Sequence, residues 1–407
     1  MSDIYEYLKW RGDLSMKLEP FNEIDSLILS ELVYVDFKTC APSFLSGQAL
    51  SLADVAHDFF INNDEKELLD RFSFIKESIN LLKVLAKTAR FKNIKLSNYL
   101  SELDYQNVKQ FAALTFKLED GTVYIAYRGT DDTILGWKED FQMTYLYPVQ
   151  SQIRAGEYLE KIARINFSNS WVETIINRPL NSSLSKAIYQ YCKHKLFGVP
   201  IILGGHSKGG NLAVYGASVV SKKIQKRIQT IYNFDGPGFT AEMIKQTNYH
   251  LIANKIKKYI PENSVFGIML KSLETPVIVK SNAKGLMQHS GFTWQVSSKK
   301  FVTVENLSEE SLAMNEAFKA WLSKIDLDTR KNAVTAAFSI LEALDLNTID
   351  DLSEKSFVHL INGLKEFTSL KGEARTAIIQ FIKTLIIESN NYQKYYRKNN
   401  HHDENSQ

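Results

Sequence analysis

Residues 201–214 constrain the fold more than any other part of the sequence, reading Ile-Ile-Leu-Gly-Gly-His-Ser-Lys-Gly-Gly-Asn-Leu-Ala-Val. A short apolar run leads directly into Gly205-x-Ser207-x-Gly209, and a helical run of small residues follows without a linker. A strand that enters a helix through so sharp a turn needs glycines beside the turning residue, because side chains there would keep strand and helix apart. The pattern predicts a nucleophile elbow with Ser207 at its tip. The alternative is a glycine-rich turn with an inert or ligand-binding serine.

Short apolar runs alternate with helical ones on both sides of this turn. The runs typical of strands are 200–203, 228–234, 255–260 and 276–279. Upstream, two β-branched and aromatic runs flank Asp120-Gly121, which predicts an antiparallel hairpin. Compact apolar strands separated by helices indicate a sheet that is covered on both faces and at least partly parallel. The predicted fold class is therefore α/β.

The two ends of the chain read as helical. The first hundred residues show helical periodicity, with an N-cap at Asn22. A hairpin at 292–304 is expected to close the α/β region, and helical patterning then continues to about residue 388. We predict three parts: an α/β domain with N-terminal helices over 1–298, a helical C-terminal region over 299–388 and a disordered tail over 389–407.

Composition limits the partners. The 407 residues carry 49 Lys and Arg against 46 Asp and Glu, so the net charge of +3 favours neither nucleic acid nor an anionic membrane. No apolar run approaches the ~20 residues that span a membrane, and the N-terminus lacks a secretory apolar core. Two cysteines, Cys40 and Cys192, are too few for a disulfide framework or a zinc cluster. We expect a soluble cytoplasmic protein with no metal, no organic cofactor and no nucleic-acid partner, and the oligomeric state stays open.

A serine nucleophile needs a base, and the sequence after the elbow offers five histidines: His250, His289, His359, His401 and His402. His250 falls in a predicted helix, His359 in the C-terminal helical region and the last two in the tail. His289 lies in a loop after the last predicted strand of the sheet, where a base can reach the nucleophile. We predict His289 as the general base, the alternative being a structural histidine. His206, beside the nucleophile, reads as a packing or hydrogen-bonding residue.

Two residues compete for the acid that orients the base. Asp235 ends the predicted strand 228–234 and begins a turn, which places its carboxylate at the carboxyl edge of the sheet, where open α/β sheets hold their sites. Glu262 follows the predicted strand 255–260. Asp235 is the preferred prediction, although it also reads as a turn residue that caps its own backbone.

Two backbone N–H groups are expected to hold a developing oxyanion. The first belongs to Lys208, the residue after the nucleophile. The second is assigned to Thr130, in the loop after the strand 122–127, where Gly129 permits close approach and the Thr130 hydroxyl is also expected to face the substrate oxygen. Arg128 is expected to hold this loop by pairing with one of three carboxylates, those of Asp131, Asp132 and Asp140. The alternative is an ordinary hydrophilic loop.

At this point the motifs resemble known families. Tyr127-Arg-Gly-Thr130, followed by Gly136-Trp-Lys-Glu-Asp140-Phe, is similar to the oxyanion loop of the class 3, fungal-type lipases, and Gly205-His-Ser-Lys-Gly-Gly210 to their elbow. Over residues 1–298 the chain is more similar to the Mbeg1-like bacterial family of lipase-like α/β hydrolases. The further motifs of that resemblance are Tyr7-Leu-Lys-Trp-Arg-Gly-Asp13, Phe21-Asn-Glu-Ile-Asp25, Phe234-Asp-Gly-Pro-Gly-Phe239, and Gln288-His289 before Phe292-Thr-Trp294.

The resemblance implies an α/β-hydrolase fold, with a mostly parallel sheet and helices on both faces, and these roles: nucleophile Ser207, base His289, and oxyanion donors Thr130 and Lys208. Lipases usually place an apolar residue after the nucleophile, so the charged Lys208 disfavours a bulk triglyceride as substrate. Class 3 lipases take their acid near the position of Glu262, whereas Asp235 matches the acid position of pancreatic-type lipases.

These features predict a serine hydrolase that cleaves a carboxylic ester, of a small molecule or an acyl lipid, through an acyl-enzyme intermediate. Segment 131–147 or the C-terminal helices are expected to cover the site as a lid. Two alternatives stay open: a non-catalytic module that binds an acyl ligand on the same fold, and a partner-binding scaffold that uses the C-terminal helices. Thioesters and amides are not separated from esters, because one triad serves all three.

Overall fold

The computed structural model describes residues 2–70, 76–165, 183–324, 326–343 and 347–348. Its centre is a sheet of eight strands whose spatial order follows the sequence: β1 (Leu50–Ser51), β2 (Lys95–Asp104), β3 (Lys109–Lys117), β4 (Val123–Tyr127), β5 (Ile201–His206), β6 (Ile228–Phe234), β7 (Ile256–Pro261) and β8 (Val277–Val279). A separate ribbon pairs β9 (Val296–Ser297) with β10 (Lys300–Phe301), within the region where the sequence predicts a closing hairpin.

Fourteen α-helices lie in the described part of the chain: α1 (Ile4–Arg11), α2 (Glu23–Leu32), α3 (Leu52–Asn62), α4 (Glu65–Asp70), α5 (Lys76–Leu85), α6 (Ile134–Gln142), α7 (Gln150–Ile162), α8 (Leu184–Phe197), α9 (Lys208–Val219), α10 (Lys222–Arg227), α11 (Ala241–Ile244), α12 (Thr247–Ile252), α13 (Glu309–Lys324) and α14 (Leu327–Ala343). Helix α2 begins at the predicted N-cap, because the Asn22 side chain accepts from backbone N–H groups and Asp25 completes a capping box.

The sheet is antiparallel at its start and parallel thereafter. Strands β1 to β4 pair antiparallel, and β4 to β8 pair parallel. The predicted hairpin joins β3 to β4, where Gly121 has a φ of +84° and the Thr122 N–H donates to Asp120 Oδ1. Strands β4 to β8 therefore end at one edge of the sheet, and the loops that follow them meet there.

Alternate side chains of the strands enter two separate cores. On one face, Ile125, Leu203 and Ile231 pack with α7, α9 and α12. On the other face, Tyr124 and Phe234 pack with α1, α2, α3 and α5. Since the parallel strands follow one another in sequence and such crossovers are right-handed, the helices between them fall on one face and the N-terminal helices cover the other. The predicted α/β-hydrolase fold, with a mostly parallel sheet and helices on both faces, is confirmed.

Helix α2 packs against β5 and brings polar groups to the carboxyl edge of the sheet. Ser26 Oγ and Ser30 Oγ each lie 2.9 Å from the Tyr124 hydroxyl oxygen, which ties the helix to β4. The end of α2 and the residues after it place Glu31 and Tyr34 beside the last residue of β5.

The first hundred residues differ from the sequence interpretation, because β1 and β2 lie where helical patterning was expected. Strand β2 pairs with β3, but its register is interrupted between Ser97 and Leu100, and Asn98 there has a φ of +57°. A bulge of this kind shifts the side-chain period by one residue. The strand therefore lacks the regular alternation by which a sequence reveals it.

Two helices of the predicted C-terminal region are described, α13 and α14. Residues 349–407, which include the rest of that region and the predicted tail over 389–407, lie outside the described residues. The domain boundary at residue 298 stays a prediction. Within the described ranges, no helix combines the length and the apolar character that crossing a membrane requires.

Candidate active site

Ser207 occupies a strained turn between β5 and α9. Its backbone has a φ of +56° and a ψ of −132°, a region that a residue with a side chain rarely adopts. Its N–H donates to the Phe234 carbonyl oxygen at 2.8 Å, which fixes the turn to the neighbouring strand β6. The Ser207 hydroxyl makes no hydrogen bond with the described residues, so it is available to a ligand.

The glycines around this turn permit contacts that no other residue allows. A Cβ at Gly205 would lie 2.2 Å from the carbonyl carbon of Gly209, and a Cβ at Gly209 would lie 2.1 Å from the Tyr127 carbonyl oxygen. Backbone atoms cannot move aside as a flexible side chain can. The two glycines of the motif are therefore needed for strand β5, helix α9 and the end of β4 to approach one another.

His289 and Asp235 meet at the same edge of the sheet. His289 Nδ1 lies 2.6 Å from Asp235 Oδ2, and the Asp235 side chain is fully buried. The other carboxylate oxygen accepts from the Ser264 hydroxyl at 2.5 Å and from the Gly267 N–H at 3.1 Å. Because a carboxylate accepts hydrogen bonds, Nδ1 carries the ring proton, and Nε2 keeps a lone pair that can accept another.

The ring of His289 stands beside the elbow. Its centroid lies 4.5 Å from that of His206, the residue before Ser207, and 4.4 Å from that of Phe266. The imidazole is partly open, with 22% of its side chain exposed. The ring of the base candidate thus packs between Phe266 and the residue that directly precedes the nucleophile candidate.

The remaining candidates lie elsewhere or outside the described chain. Glu262 follows β7, but its side chain makes no hydrogen bond to His289 or to any other described residue, so Asp235 is the carboxylate that contacts the ring. His250 is exposed on α12. The other three histidines, at positions 359, 401 and 402, lie outside the described residues.

The loop after β4 runs across the elbow, as the sequence predicts. A Cβ at Gly129 would lie 2.0 Å from the Tyr34 hydroxyl oxygen and 2.7 Å from the His206 carbonyl oxygen. This approach brings Gly129, the residue before Thr130, against His206, the residue before Ser207. Of the three predicted partners for Arg128, the structure pairs it with Asp131, at 2.9 Å.

The Thr130 hydroxyl does not face the elbow as expected, because it donates to Asp140 Oδ2 on α6. Its proton is therefore engaged in holding the loop, and the oxyanion role expected for the Thr130 backbone N–H stays a prediction. The other expected donor is the backbone N–H of Lys208, the first residue of α9. Such first-turn N–H groups have no helical acceptor and carry positive potential.

Comparison with known proteins identifies the family. A profile of the Mbeg1-like family matches residues 85–339, well over half of the chain. The chain belongs to the Mbeg1-like family. The resemblance that the sequence motifs indicated is thus confirmed. Among curated proteins, none matches the sequence significantly.

Solved structures similar to this Mbeg1-like protein include lipases. The native Rhizomucor miehei lipase propeptide complex shares 13% sequence identity at a TM-score of 0.32, covering 77% of this chain and 90% of that chain. The lipase from Rhizopus microsporus var. chinensis shares 12% at a TM-score of 0.32, covering 57% of this chain and 72% of that one. M37 lipase shares 13% at a TM-score of 0.28, with 60% and 68% covered.

The Lys208 side chain of the Mbeg1-like protein points away from the elbow surface. It is 1% exposed, and its Nζ donates to the Gln110 carbonyl oxygen at 3.2 Å, to Gln110 Oε1 at 2.5 Å and to Glu139 Oε2 at 3.2 Å. The ammonium group therefore fastens α9 to β3 and α6. Because this charge is buried, it gives no reason to disfavour a triglyceride, and the substrate class stays a prediction.

Sequence reasoning missed the polar groups behind the histidine pair. His206 Nε2 lies 2.6 Å from the His289 carbonyl oxygen, whereas its Nδ1 lies 3.3 Å from the Tyr34 hydroxyl oxygen and 3.6 Å from Glu31 Oε1. The hydrogen-bonding role expected for His206 is observed. Glu31 and Tyr34 carried no local signal, since both belong to the N-terminal helical region.

The C-terminal helices of the Mbeg1-like protein contact both sides of this edge. The ring of Phe338 on α14 lies 5.6 Å from that of Phe141 on α6, and Phe338 is buried. At the start of α13, the Ser311 hydroxyl donates to the Ser264 carbonyl oxygen at 2.6 Å, next to the contacts that hold Asp235. Helix α14 thus contacts α6, the helix that holds the Thr130 hydroxyl, and helix α13 contacts Ser264, which holds Asp235.

The described residues of the Mbeg1-like chain include no group of three or more His, Cys, Asp or Glu side chains arranged to hold a metal ion. Cys40 is a buried free thiol and Cys192 is an exposed one.

Proposed function

We propose that the protein is a serine hydrolase that cleaves a carboxylic ester through an acyl-enzyme intermediate. The observation that carries the proposal is the hydrogen bond between His289 and the buried Asp235, formed beside the strained turn that presents Ser207. A buried carboxylate that fixes the tautomer of a partly open histidine next to an unengaged serine is the arrangement that nucleophilic acyl transfer requires.

In the proposed reaction, His289 Nε2 takes the proton of the Ser207 hydroxyl as Oγ attacks the ester carbonyl carbon. Asp235 stabilises the imidazolium that forms. The ring then gives this proton to the departing alcohol oxygen as the acyl–oxygen bond breaks, leaving the acyl group on Ser207. Water, deprotonated by the same nitrogen, attacks the acyl-enzyme and releases the carboxylic acid. The Ser207 oxygen recovers its proton from His289.

The proposed oxyanion donors are the backbone N–H groups of Lys208 and Thr130. Each donor of this kind lowers the barrier by about 2.7–4 kcal/mol when it is fixed before the reaction. The side chains support such fixing, since Lys208 is anchored to Glu139 and Thr130 to Asp140. The proposal needs no metal and no organic cofactor, because every proton transfer is served by His289.

The proposed substrate is a small-molecule or lipid ester. Family resemblance to lipase-like hydrolases supports an ester over an amide, and the buried Lys208 leaves an acyl lipid open. We propose further that the α/β domain ends near residue 298 and that α13 and α14 cover the site, because they contact it from both sides. A cytoplasmic location agrees with two free thiols.

The test is a panel of p-nitrophenyl esters of increasing chain length, with acyl-CoA thioesters, given to wild type and to Ser207→Ala. We expect wild type to hydrolyse at least one ester and the variant to lose at least about 10³-fold in kcat. A fluorophosphonate should add to Ser207 of the wild type, as read by peptide mass. Equal turnover by both proteins would contradict the enzyme, and tight binding of a fatty acid without labelling would favour the acyl-binding module.

A further inference from the structure

A second histidine holds the loop that carries the proposed base. His206 ends β5 and is buried, and its Nε2 lies 2.6 Å from the His289 carbonyl oxygen. Because a carbonyl oxygen can only accept, Nε2 carries the ring proton and His206 is the donor. One residue therefore connects the two partners of proton transfer, since His206 is covalently joined to Ser207 and hydrogen-bonded to His289.

The other nitrogen of His206 must then accept, and two groups at the end of α2 face it. The Tyr34 hydroxyl oxygen lies 3.3 Å from Nδ1, and Glu31 Oε1 lies 3.6 Å from it. Glu31 Oε1 is buried and has no hydrogen-bond partner among the described residues. A proton on this oxygen would point a donor at His206 Nδ1, which would hold the ring in the tautomer that donates to His289.

Glu31 also touches the loop two residues beyond His289. A Cβ at Gly291 would lie 2.4 Å from Glu31 Oε1, so the absence of a side chain there allows the loop to close over the carboxyl group. The segment 289–291 is thus held at one end by His206 and packed at the other against Glu31.

The protonation states agree with this arrangement. Burial, with the nearby negative charge of Glu77, raises the pKa of Glu31 to about 8, so the carboxyl group is mostly protonated at neutral pH. Burial, with the nearby His289, holds the pKa of His206 well below its usual value, so that ring is neutral. The charged group near Glu31 is Glu77 on α5, and the Tyr34 hydroxyl that faces His206 lies in turn near Arg128, Asp131 and Asp140.

We propose that His206 is a positioning residue for the reaction, kept by Glu31 and Tyr34 in the tautomer that donates to the His289 backbone. This inference rests on the proposed function and names the groups that regulate the same site. When Glu31 loses its proton, its carboxylate repels the Nδ1 lone pair and favours a proton there. His206 Nε2 then loses its proton and releases the His289 carbonyl oxygen.

The experiment measures the rate at which a fluorophosphonate labels Ser207 in the full-length protein. His206→Phe keeps a ring but removes the donor, and it should label about tenfold more slowly, as expected for the loss of one hydrogen bond. His206→Gln supplies an amide N–H and should recover most of the rate. With an ester that wild type hydrolyses, His206→Phe should lower kcat and leave KM near its wild-type value. His250→Phe, the same change at an exposed histidine, is the matched control.

A second variant does not disturb packing. Glu31→Gln keeps the shape and offers a permanent N–H donor to His206 Nδ1. Wild-type labelling should decline as pH rises from 7 through the pKa of about 8 at Glu31, and Glu31→Gln should remove this decline. A decline that persists in Glu31→Gln would overturn the proposal.

Two results separate this proposal from the proposed function. If wild type is not labelled at all, the hydrolase itself is wrong, and the role of His206 is wrong with it. If wild type is labelled and a folded His206→Phe protein reacts at the same rate, only the positioning role is overturned. Equal slowing in His206→Phe and His206→Gln would also overturn it, because an N–H donor at position 206 would then recover none of the rate.

Discussion

His289 Nδ1 lies 2.6 Å from Asp235 Oδ2, although the two residues follow different strands and stand 54 positions apart in the sequence. The loop after β6 supplies the acid and the segment after β8 supplies the ring. Because β6 to β8 run parallel, both loops leave the sheet at the same edge. The pairing therefore depends on the direction of the strands.

Asp235→Asn tests this pair. The amide keeps the shape of the side chain, but it removes the negative charge and favours the wrong tautomer of His289. We expect kcat to fall by about 10³–10⁴-fold if the proposed triad operates. The measurement is the steady-state rate on an ester that wild type hydrolyses, with circular dichroism to verify the fold.

Glu262→Gln is the comparison for this prediction, since the sequence left Glu262 as the alternative acid. Its carboxylate makes no hydrogen bond to His289, so the rate should stay within about twofold of wild type. If Glu262→Gln loses more activity than Asp235→Asn, the acid assignment is wrong.

Much of this edge could be predicted because its residues carry local signals. The glycines at 205 and 209 mark the elbow, since their Cβ positions are occupied by backbone. Asp235 was recognisable as a polar residue directly after an apolar strand, and His289 as a histidine in the loop after the last predicted strand. The sequence shows which loop a residue belongs to. Because the strands are parallel, the loops that follow them meet at one edge of the sheet.

Other parts could not be predicted, because they depend on contacts between distant elements. The Lys208 side chain turns inward because its ammonium group donates to Gln110 and Glu139, which precede it in the sequence by 98 and 69 positions. His206 faces Tyr34 across 172 positions. No local pattern reports such partners, so the polar groups behind the site appear only in the folded chain.

Gly209→Ala tests the close packing of the elbow. The added Cβ would lie 2.1 Å from the Tyr127 carbonyl oxygen, so β4 and α9 must separate. We expect a loss of about 1–3 kcal/mol in the free energy of unfolding and a large fall in labelling of Ser207. Chemical denaturation and fluorophosphonate labelling measure the two effects.

Gly47→Ala is the matched control for this change. Nothing lies within 4 Å of its added Cβ, but the residue has a φ of +75°, so only backbone strain is introduced. The expected cost is about 1 kcal/mol, with labelling unchanged. Equal labelling of Gly209→Ala and wild type would show that the elbow does not need this approach.

Lys208→Met separates the side chain of residue 208 from its backbone. The variant keeps the N–H but leaves Glu139 as a buried carboxylate without its cation, since Lys208 and Glu139 are 1% and 0% exposed. Breaking such a pair costs about 3–5 kcal/mol. We expect a strong fall in unfolding free energy, measured in urea. The protein that remains folded should still label, because the ammonium group takes no part in the chemistry. Stability like that of wild type with labelling abolished would contradict this.

Glu31 should make the unfolding free energy depend on pH. The pKa of Glu31 is about 8 in the folded protein, against 4.5 for a glutamate that is not buried. Between these two values the folded state binds more protons than the unfolded state. The unfolding free energy must then fall as pH rises through this window, with a slope of up to about 1.36 kcal/mol per pH unit. Below this pH range Glu31 is protonated in both the folded and the unfolded state. Above it, the folded state bears the full cost of a buried carboxylate.

Urea denaturation at several values between pH 5 and pH 8, for wild type and Glu31→Gln, measures this dependence. The variant has no proton to lose, so its advantage over wild type should grow steadily as pH rises. Glu6→Gln, the same substitution at an exposed side chain, is the control for the chemical change. Parallel curves for wild type and Glu31→Gln would mean that Glu31 is already ionised in the folded protein. Its oxygen could not then donate to His206, and the neutral tautomer would have to be held by Tyr34 alone.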